Sequence, residues 1–474
     1  MVENKSEKEL IEAILAEDEK LEKKYHSVLE KNFDLNRSLV SFQSNKQEPK
    51  YRWYKFKEGF SSSLVKYFLK KYDVKTGSLL DPFVGSGTSL FVGLENGLNV
   101  TGIELLPIGS EVIKARELLR KSDIGIVVKI LDKMIIKKPW IKAKTTETLN
   151  FITITKDAFP KETKELLLKY LSYIKKIRDP AAKQLLRFAV ICILEEISYT
   201  RKDGQYLRWD FRSGRRQGAK PFNKGQIKAF NDAIISKLEQ IKNDLVACDV
   251  DLFSKVGVKS KDKKLELLEG SCLDILPELK SDNYDFVITS PPYCNRYDYT
   301  RTYALELVLL GVDEGRIRNL RQSMLSCTVE NKEKIGLDKK FGNKVFNIAT
   351  DAFDNHKLLQ LILQYLNILK DKKELNNSGI VRMIKNYFYE LGLVIAECAR
   401  TMKKNAHFVM VNDNVRYAGI SIPVDLILSD FAEAAGLKVE KIWILPIGKG
   451  NSSQQMGDHG RKELRKCVYV WKKL

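Results

Sequence analysis

Ser290-Pro291-Pro292-Tyr293 closes an apolar run, far downstream of Asp81-Pro82-Phe83-Val84-Gly85-Ser86-Gly87-Thr88. The tetrapeptide sets a small polar side chain and a prolyl carbonyl on a rigid diproline corner, backed by an aromatic ring. Such a corner can grip a planar amine. The octet is a strand ending in an acid and running into a tight glycine turn. Gly85 and Gly87 lack the Cβ atoms that hold backbone away from a ligand, and both can take positive φ. The turn differs from the GxGxxG dinucleotide pattern, and it is no P-loop because no GK[ST] follows. Methylating an exocyclic amino group on a base calls for both devices, one holding the donor and the other holding the amine in line with it.

Strands and helices must position these segments. Phe60–Tyr72 reads as a helix starting after Gly59, with Ser61 as N-cap. Ser78-Leu79-Leu80 enters a strand that stops at Asp81, Thr88–Glu95 continues as a helix, and Asn99–Ile103 is a second strand ending at Glu104. This strand, glycine turn, helix, strand, acid order is the nucleotide-binding half of a doubly wound sheet, in which Glu104 can accept both hydroxyls of a ribose. Asp81 can serve a cationic ligand group. The rhythm resumes at Leu265–Gly270 and Asp285–Thr289. Ile380–Met402 follows as a long helix, then strands at His407–Val411, Trp443–Leu445 and Cys467–Trp471. Between the two halves, residues 120–262 are largely helical, with long runs at Lys161–Ile177 and Gln226–Leu245.

Six segments follow: 1–50, an N-terminal helical arm and linker; 51–119, the cofactor half; 120–262, a helical insertion; 263–327, the catalytic half; 328–375, a second, smaller helical insertion; and 376–474, the rest of the sheet. Residues 5–40 carry the arm's stripe of Leu10, Ile14, Leu21, Tyr25 and Val28 at roughly helical spacing.

With 474 residues, 44% hydrophobic and 30% charged, the chain has the apolar material for more than one domain. Its net charge of +20 favours a polyanionic partner. The 7 cysteines form no CxxC pair, and the 4 histidines are too dispersed for a zinc site. No metal is expected. No signal-like or membrane-length apolar span is evident, so a reduced, cytoplasmic protein without membrane association is expected.

The octet and the tetrapeptide together resemble the amino-methyltransferases that use S-adenosylmethionine to modify N4 of cytosine or N6 of adenine in DNA. DPFVGSGT matches that family's cofactor motif almost letter for letter, and SPPY matches its catalytic [DNS]PP[YFW]. The resemblance covers about 53–115 and 263–474. It implies an α/β fold, a Rossmann-like class I methyltransferase sheet carrying a largely helical inserted domain. It also implies S-adenosylmethionine as cofactor, held by Phe60, Ser61, Asp81, Pro82, Phe83, Gly85, Ser86, Gly87, Thr88, Glu104 and Leu105. Gly270-Ser271 stands where many relatives have Gly-Asp, so Ser271, Cys272 or Asp274 must take the cofactor's adenine. Ser290, Pro291, Pro292 and Tyr293 form the catalytic set. Ser290 and the Pro291 carbonyl accept from the amine, and Tyr293 stacks on a base that has left the duplex. Serine in the first position leans towards cytosine N4. Adenine N6 is the nearest alternative, followed by RNA guanine-N2 methylation and a catalytically silent DNA-binding partner.

Double-stranded DNA is the expected partner, in a restriction–modification setting where a cognate endonuclease would act on the same site; monomer and dimer both remain open. Thr200–Lys224 concentrates Arg201, Lys202, Arg208, Arg212, Arg215 and Arg216 among Tyr206, Trp209, Phe211 and Phe222, a pattern suited to phosphates and base edges. Arg296 and Arg301, in the polar and aromatic stretch after SPPY, join the DNA-binding set. The polar stretch Asn451–Arg465 is a second candidate for a DNA contact.

Overall fold

The computed structural model of the chain describes residues 6–57, 59–203, 206–218, 220–251, 262–446 and 464–474, with backbone only for Tyr206 and for residues 248–251. Its strands are β1 (Leu29–Lys31), β2 (Ser78–Asp81), β3 (Asn99–Glu104), β4 (Thr200–Asp203), β5 (Tyr206–Trp209), β6 (Leu265–Glu269), β7 (Tyr284–Thr289), β8 (Met402–Asp413), β9 (Val415–Tyr417), β10 (Ile420–Ile422), β11 (Leu437–Ile444) and β12 (Lys466–Lys473). Eight of these form one sheet in the order β1-β11-β12-β8-β7-β2-β3-β6. It is parallel from β8 across to β6, and β12 runs antiparallel between β8 and β11. This is a Rossmann-like sheet. From β2 the chain steps to β3 and β6 on one side and to β7 and β8 on the other, so the switch point lies between β2 and β7, where such sheets bind ligands at the carboxyl ends of their strands.

The apolar runs read as strands have no polar alternation because both faces are covered. In β7, Phe286 and Ile288 join one core and Val287 the other; in β8, Val409 and Val411 oppose Phe408 and Met410. One face packs on α2 (Ser62–Lys71) and α3 (Thr88–Glu95). The other packs on α1 (Glu7–Tyr25) and on the helices Asn343–Asp354, Lys357–Asp371, Ile380–Thr401 and Val424–Ala434. The helices of 328–375 therefore share the core of the sheet.

The N-terminal segment departs from the single helix expected over 5–40. A capping box between Ser6 and Glu9 starts α1, and the helix ends at Tyr25. Leu29–Lys31 then pairs in parallel with Ile442–Ile444 as the sheet's outer strand.

A separate core belongs to the insertion. It is built on α4 (Pro107–Arg120), α5 (Ile124–Lys137), α6 (Lys161–Ile174), α7 (Pro180–Ile197) and α8 (Phe230–Asp251). Asp123 and Asp179 cap α5 and α7 through their side chains. The same core takes in Trp53, Tyr54 and Phe56 ahead of the sheet and Tyr297 to Cys327 after SPPY.

Candidate active site

The glycine turn leaves β2 with Asp81 buried at 1% exposure. Its carboxylate accepts from the Phe83 N–H at 3.0 Å, from the Ser89 hydroxyl, and from Thr289 Oγ1 at 2.7 Å. Burial pushes it up to about 6, against the pull of those three donors. Asp81 thus ties the turn to α3 and to the end of β7; it is not on the wall of the cleft as the expected partner of a cationic ligand group. Gly85 and Gly87 take φ of 55° and 79°, where side chains are strained. Gly87 is the N-cap of α3.

Glu104, at the end of β3, is 7% exposed and accepts from the Leu106 N–H at 2.7 Å. Burial pushes its carboxyl up to about 8, with the N–H groups of Leu106, Gly85 and Leu105 pulling the other way. At Gly109, a Cβ would meet Gly85 O at 2.5 Å and Glu104 Cδ at 2.7 Å, so only glycine lets α4 start this close.

These groups line a cleft at the carboxyl ends of β2, β3, β6 and β7, the place where open α/β sheets bind ligands. Of the expected cofactor residues, Phe60, Pro82, Phe83, Gly85, Ser86, Thr88, Glu104, Leu105, Ser271 and Cys272 lie on its wall. Three others are engaged elsewhere. Ser61 caps α2 and donates to Leu39 O at 2.6 Å. Gly87 is buried behind the turn. Asp274 pairs with Lys340 at the surface, which removes it from the set of adenine partners. Ser271 donates to Ser323 O at 2.8 Å and so closes the cleft against Ser323–Leu325.

Ser290, Pro292 and Tyr299 line the same cleft as the turn. Ser290 Oγ donates to the Tyr293 hydroxyl at 3.2 Å. The ring of Tyr293 is 5% exposed and off the cleft wall, a position that suits holding Ser290 rather than the stacking expected of it. Pro291 is buried beneath the corner.

Phe56, Thr289, Ser89 and Met324 also belong to this neighbourhood, and none was marked in the sequence. Phe56 lines the cleft and stacks on Tyr303 at 5.1 Å. Its signal was the aromatic density of Tyr51 to Phe56. Thr289 and Ser89 had only their hydroxyls to recommend them.

The basic segment divides sharply. Lys202 points inward: its ammonium pairs with the buried Glu306 and lies 4.5 Å over the Tyr303 ring, which takes it out of the DNA-binding set. Arg212 forks onto the buried Asp210 at 2.7 and 2.9 Å. Arg215 lies 3.6 Å over Trp209 and donates to Thr153 O and Lys156 O. Those two hold the fold of the insertion. Arg201, Arg208 and Arg216 keep exposed guanidinium groups. Arg301 is exposed but paired with Asp298 and Glu330. Arg296, half-buried at φ 65°, sits just past the catalytic corner. Residues 451–463 of the second candidate DNA-contact stretch lie outside the described residues. Among the described residues no group of histidine, cysteine or acid side chains could hold a metal, and no helix is long and apolar enough to cross a membrane.

No family model matches the chain. It is 50% identical over 456 residues to the Type II methyltransferase M.AvaI of Nostoc sp., spanning 96% of this chain and 92% of that protein. The Type II methyltransferase M.BsoBI of Geobacillus stearothermophilus is 40% identical, with 96% and 91% covered. The Type II methyltransferase M.MvaI of Kocuria varians is 24% identical over 84% of each chain. Identity at this level over 96% of the chain means that the chain belongs to the Type II methyltransferases, DNA methyltransferases of the restriction–modification type.

Proposed function

We propose that the protein transfers a methyl group from S-adenosylmethionine to the exocyclic N4 of a cytosine, at a specific site in duplex DNA and with the target base turned out of the helix. The observation that carries this reading is a single cleft lined both by the glycine turn and by Ser290 and Pro292. The residues present suit the donor. Glu104 is a buried acid that gains from two hydroxyl donors, the start of α3 favours a carboxylate, and Phe60 gives an apolar wall. When bound, S-adenosylmethionine supplies an electrophilic methyl on a positively charged sulfur.

The chain's own residues handle the amine. The Ser290 hydroxyl donates to Tyr293, and a hydroxyl oxygen used as a donor can also accept an amine N–H. The family resemblance assigns the second to the Pro291 carbonyl. Two such bonds fix the amine plane and concentrate electron density on nitrogen, which is otherwise conjugated with its ring. Tyr299, which lines the same cleft as Ser290 and Pro292, takes the flipped base against its ring in this reading. No covalent bond to the base is required. Cys294, beside the corner, is fully buried, and burial holds its thiol well above the ordinary range, which leaves it unreactive.

Serine in the tetrapeptide's first position favours cytosine over adenine, and the partner enzyme implied is an endonuclease cutting the same sequence. Incubation with labelled S-adenosylmethionine and mixed-sequence duplex DNA, followed by digestion to nucleosides and mass spectrometry, tests the reading. N4-methylcytosine is expected. N6-methyladenine would overturn the choice of base, and label confined to RNA would overturn the substrate.

A further inference from the structure

The strands β4 and β5 form a short antiparallel ribbon whose two faces differ completely. Thr200, Lys202 and Leu207 point inward, with Lys202 locked onto Glu306. On the outward face Arg201 stands directly across from Arg208 in the register. Like charges in directly opposed positions destabilise a ribbon. Here both guanidinium groups lean on the Phe222 ring, Arg208 at 4.2 Å and Arg201 at 5.5 Å. Asp203, paired with Arg208 at 3.1 Å, is the acid on that face and offsets one of the two charges. The arrangement carries an electrostatic cost that an electronegative partner would relieve.

The ribbon's position matters as much as its charge. β5 packs against Tyr299–Thr302, the turn that follows the catalytic corner, and Tyr299 lines the cleft. A reader on this ribbon would therefore stand beside the base being methylated. The major groove admits a two-stranded β-ribbon, and the planar fork of arginine matches O6 and N7 of guanine. Stacking on Phe222, with the Asp203 carboxylate on Arg208, orients the forks before DNA arrives, which lowers the entropy lost on binding.

We propose that the β4–β5 ribbon enters the major groove next to the target base, and that Arg201 and Arg208 are specificity-determining residues that donate to guanine edges. This rests on the DNA-methylating reading above and deepens it. Arg212, Arg215 and Lys202 are held by two bonds each or by a buried acid, whereas Arg201 makes one 3.3 Å bond to Lys224 O and Arg208 one pair with the partly exposed Asp203; Arg216, on the loop beyond, suits a phosphate.

The test compares the wild-type chain with Arg208→Lys, Arg208→Ala and Arg201→Ala on a randomised duplex library, sequencing methylated molecules to obtain each consensus. Arg208→Lys keeps the charge and loses the fork, so it separates reading from phosphate attraction. The expected result is a wild-type consensus that requires guanine near the methylated base, with the preference for that guanine falling roughly ten-fold or more in each variant. S-adenosylmethionine affinity and melting temperature should stay at wild-type values. An unchanged consensus overturns the proposal, whether activity is retained or falls uniformly with a salt dependence shallower by about one. Should the wild-type chain methylate nothing, the methyl-transfer reading fails by itself. The same comparison then runs on sequences enriched by binding, where loss of a required guanine supports the ribbon and its persistence refutes it.

Discussion

Glu104 sits where a carboxyl is hard to charge, and that gives ligand binding a pH signature. Burial raises it to about 8, so relative to the unfolded chain it favours folding in its protonated form, a contribution present at low pH and lost as pH rises through about 8. Hydroxyl donors from a ribose favour the ionised form. Binding should then expel a proton below pH 8, and affinity should rise as pH climbs from about 6 to about 8, with a slope approaching one decade per unit. Calorimetry of S-adenosylmethionine binding in buffers of different ionisation enthalpy measures that proton directly. Glu104→Gln should bind more weakly and show a flat profile, and a sloped profile in that variant would assign the proton elsewhere. Thr289 makes a second case. Its bond to Asp81 joins the start of the glycine turn to the end of β7, one residue before Ser290. Thr289→Val should lower kcat roughly ten-fold, as expected for losing a hydrogen bond to a buried carboxylate, with donor affinity nearly unchanged and Thr289→Ser restoring the rate. Equal losses in binding and kcat would reduce Thr289 to a packing residue.

At the scale of elements, the contrast between Arg215 and Arg216 separates structure from recognition. Arg215→Ala removes two hydrogen bonds to carbonyls and the stack on Trp209, so thermal or urea unfolding should show a loss of about 1–3 kcal/mol. Arg216→Ala should melt as wild type, while DNA affinity falls and its salt dependence flattens by about one. The sequence could not make this division. Arginine and aromatic density marks Thr200–Lys224 as a place of interest, but direction comes from register, and strands of four residues carry too little alternation to reveal it. The three residues of β1 were hidden for the same reason, since their strand character comes from pairing with β11. The octet and tetrapeptide could be marked because each is a run of at most eight consecutive residues, and residues of both line the cleft. The tie between Asp81 and Thr289 joins positions 208 apart and had no local trace.

At the scale of the whole molecule, the cleft lies where three hydrophobic cores meet. Phe60 and Val84 belong to the core under α2 and α3, Cys272 and Leu325 to the opposite face of the sheet, and Phe56, Leu106 and Tyr299 to the insertion. A ligand seated there touches all three and so binds their common folded state. Saturation at one hundred times Kd should add about 2.7 kcal/mol to that state. The consequence is spatially patterned, since protection depends on which opening reaction a segment undergoes. With S-adenosylmethionine, amide exchange should slow in segments from each core near the cleft, around 54–60, 83–106, 270–273 and 323–325. The helix Ile380–Thr401, buried behind the sheet, should change only to the extent that it exchanges by global unfolding. Slowing in the first two segments with none at 323–325 would mean that residues 297–327 open independently of the cofactor. Donor binding would then leave the Ser323–Leu325 side of the cleft open, and something other than S-adenosylmethionine would have to close it. Slowing in all of them means that loading the donor already closes that side through the contact between Ser271 and Ser323.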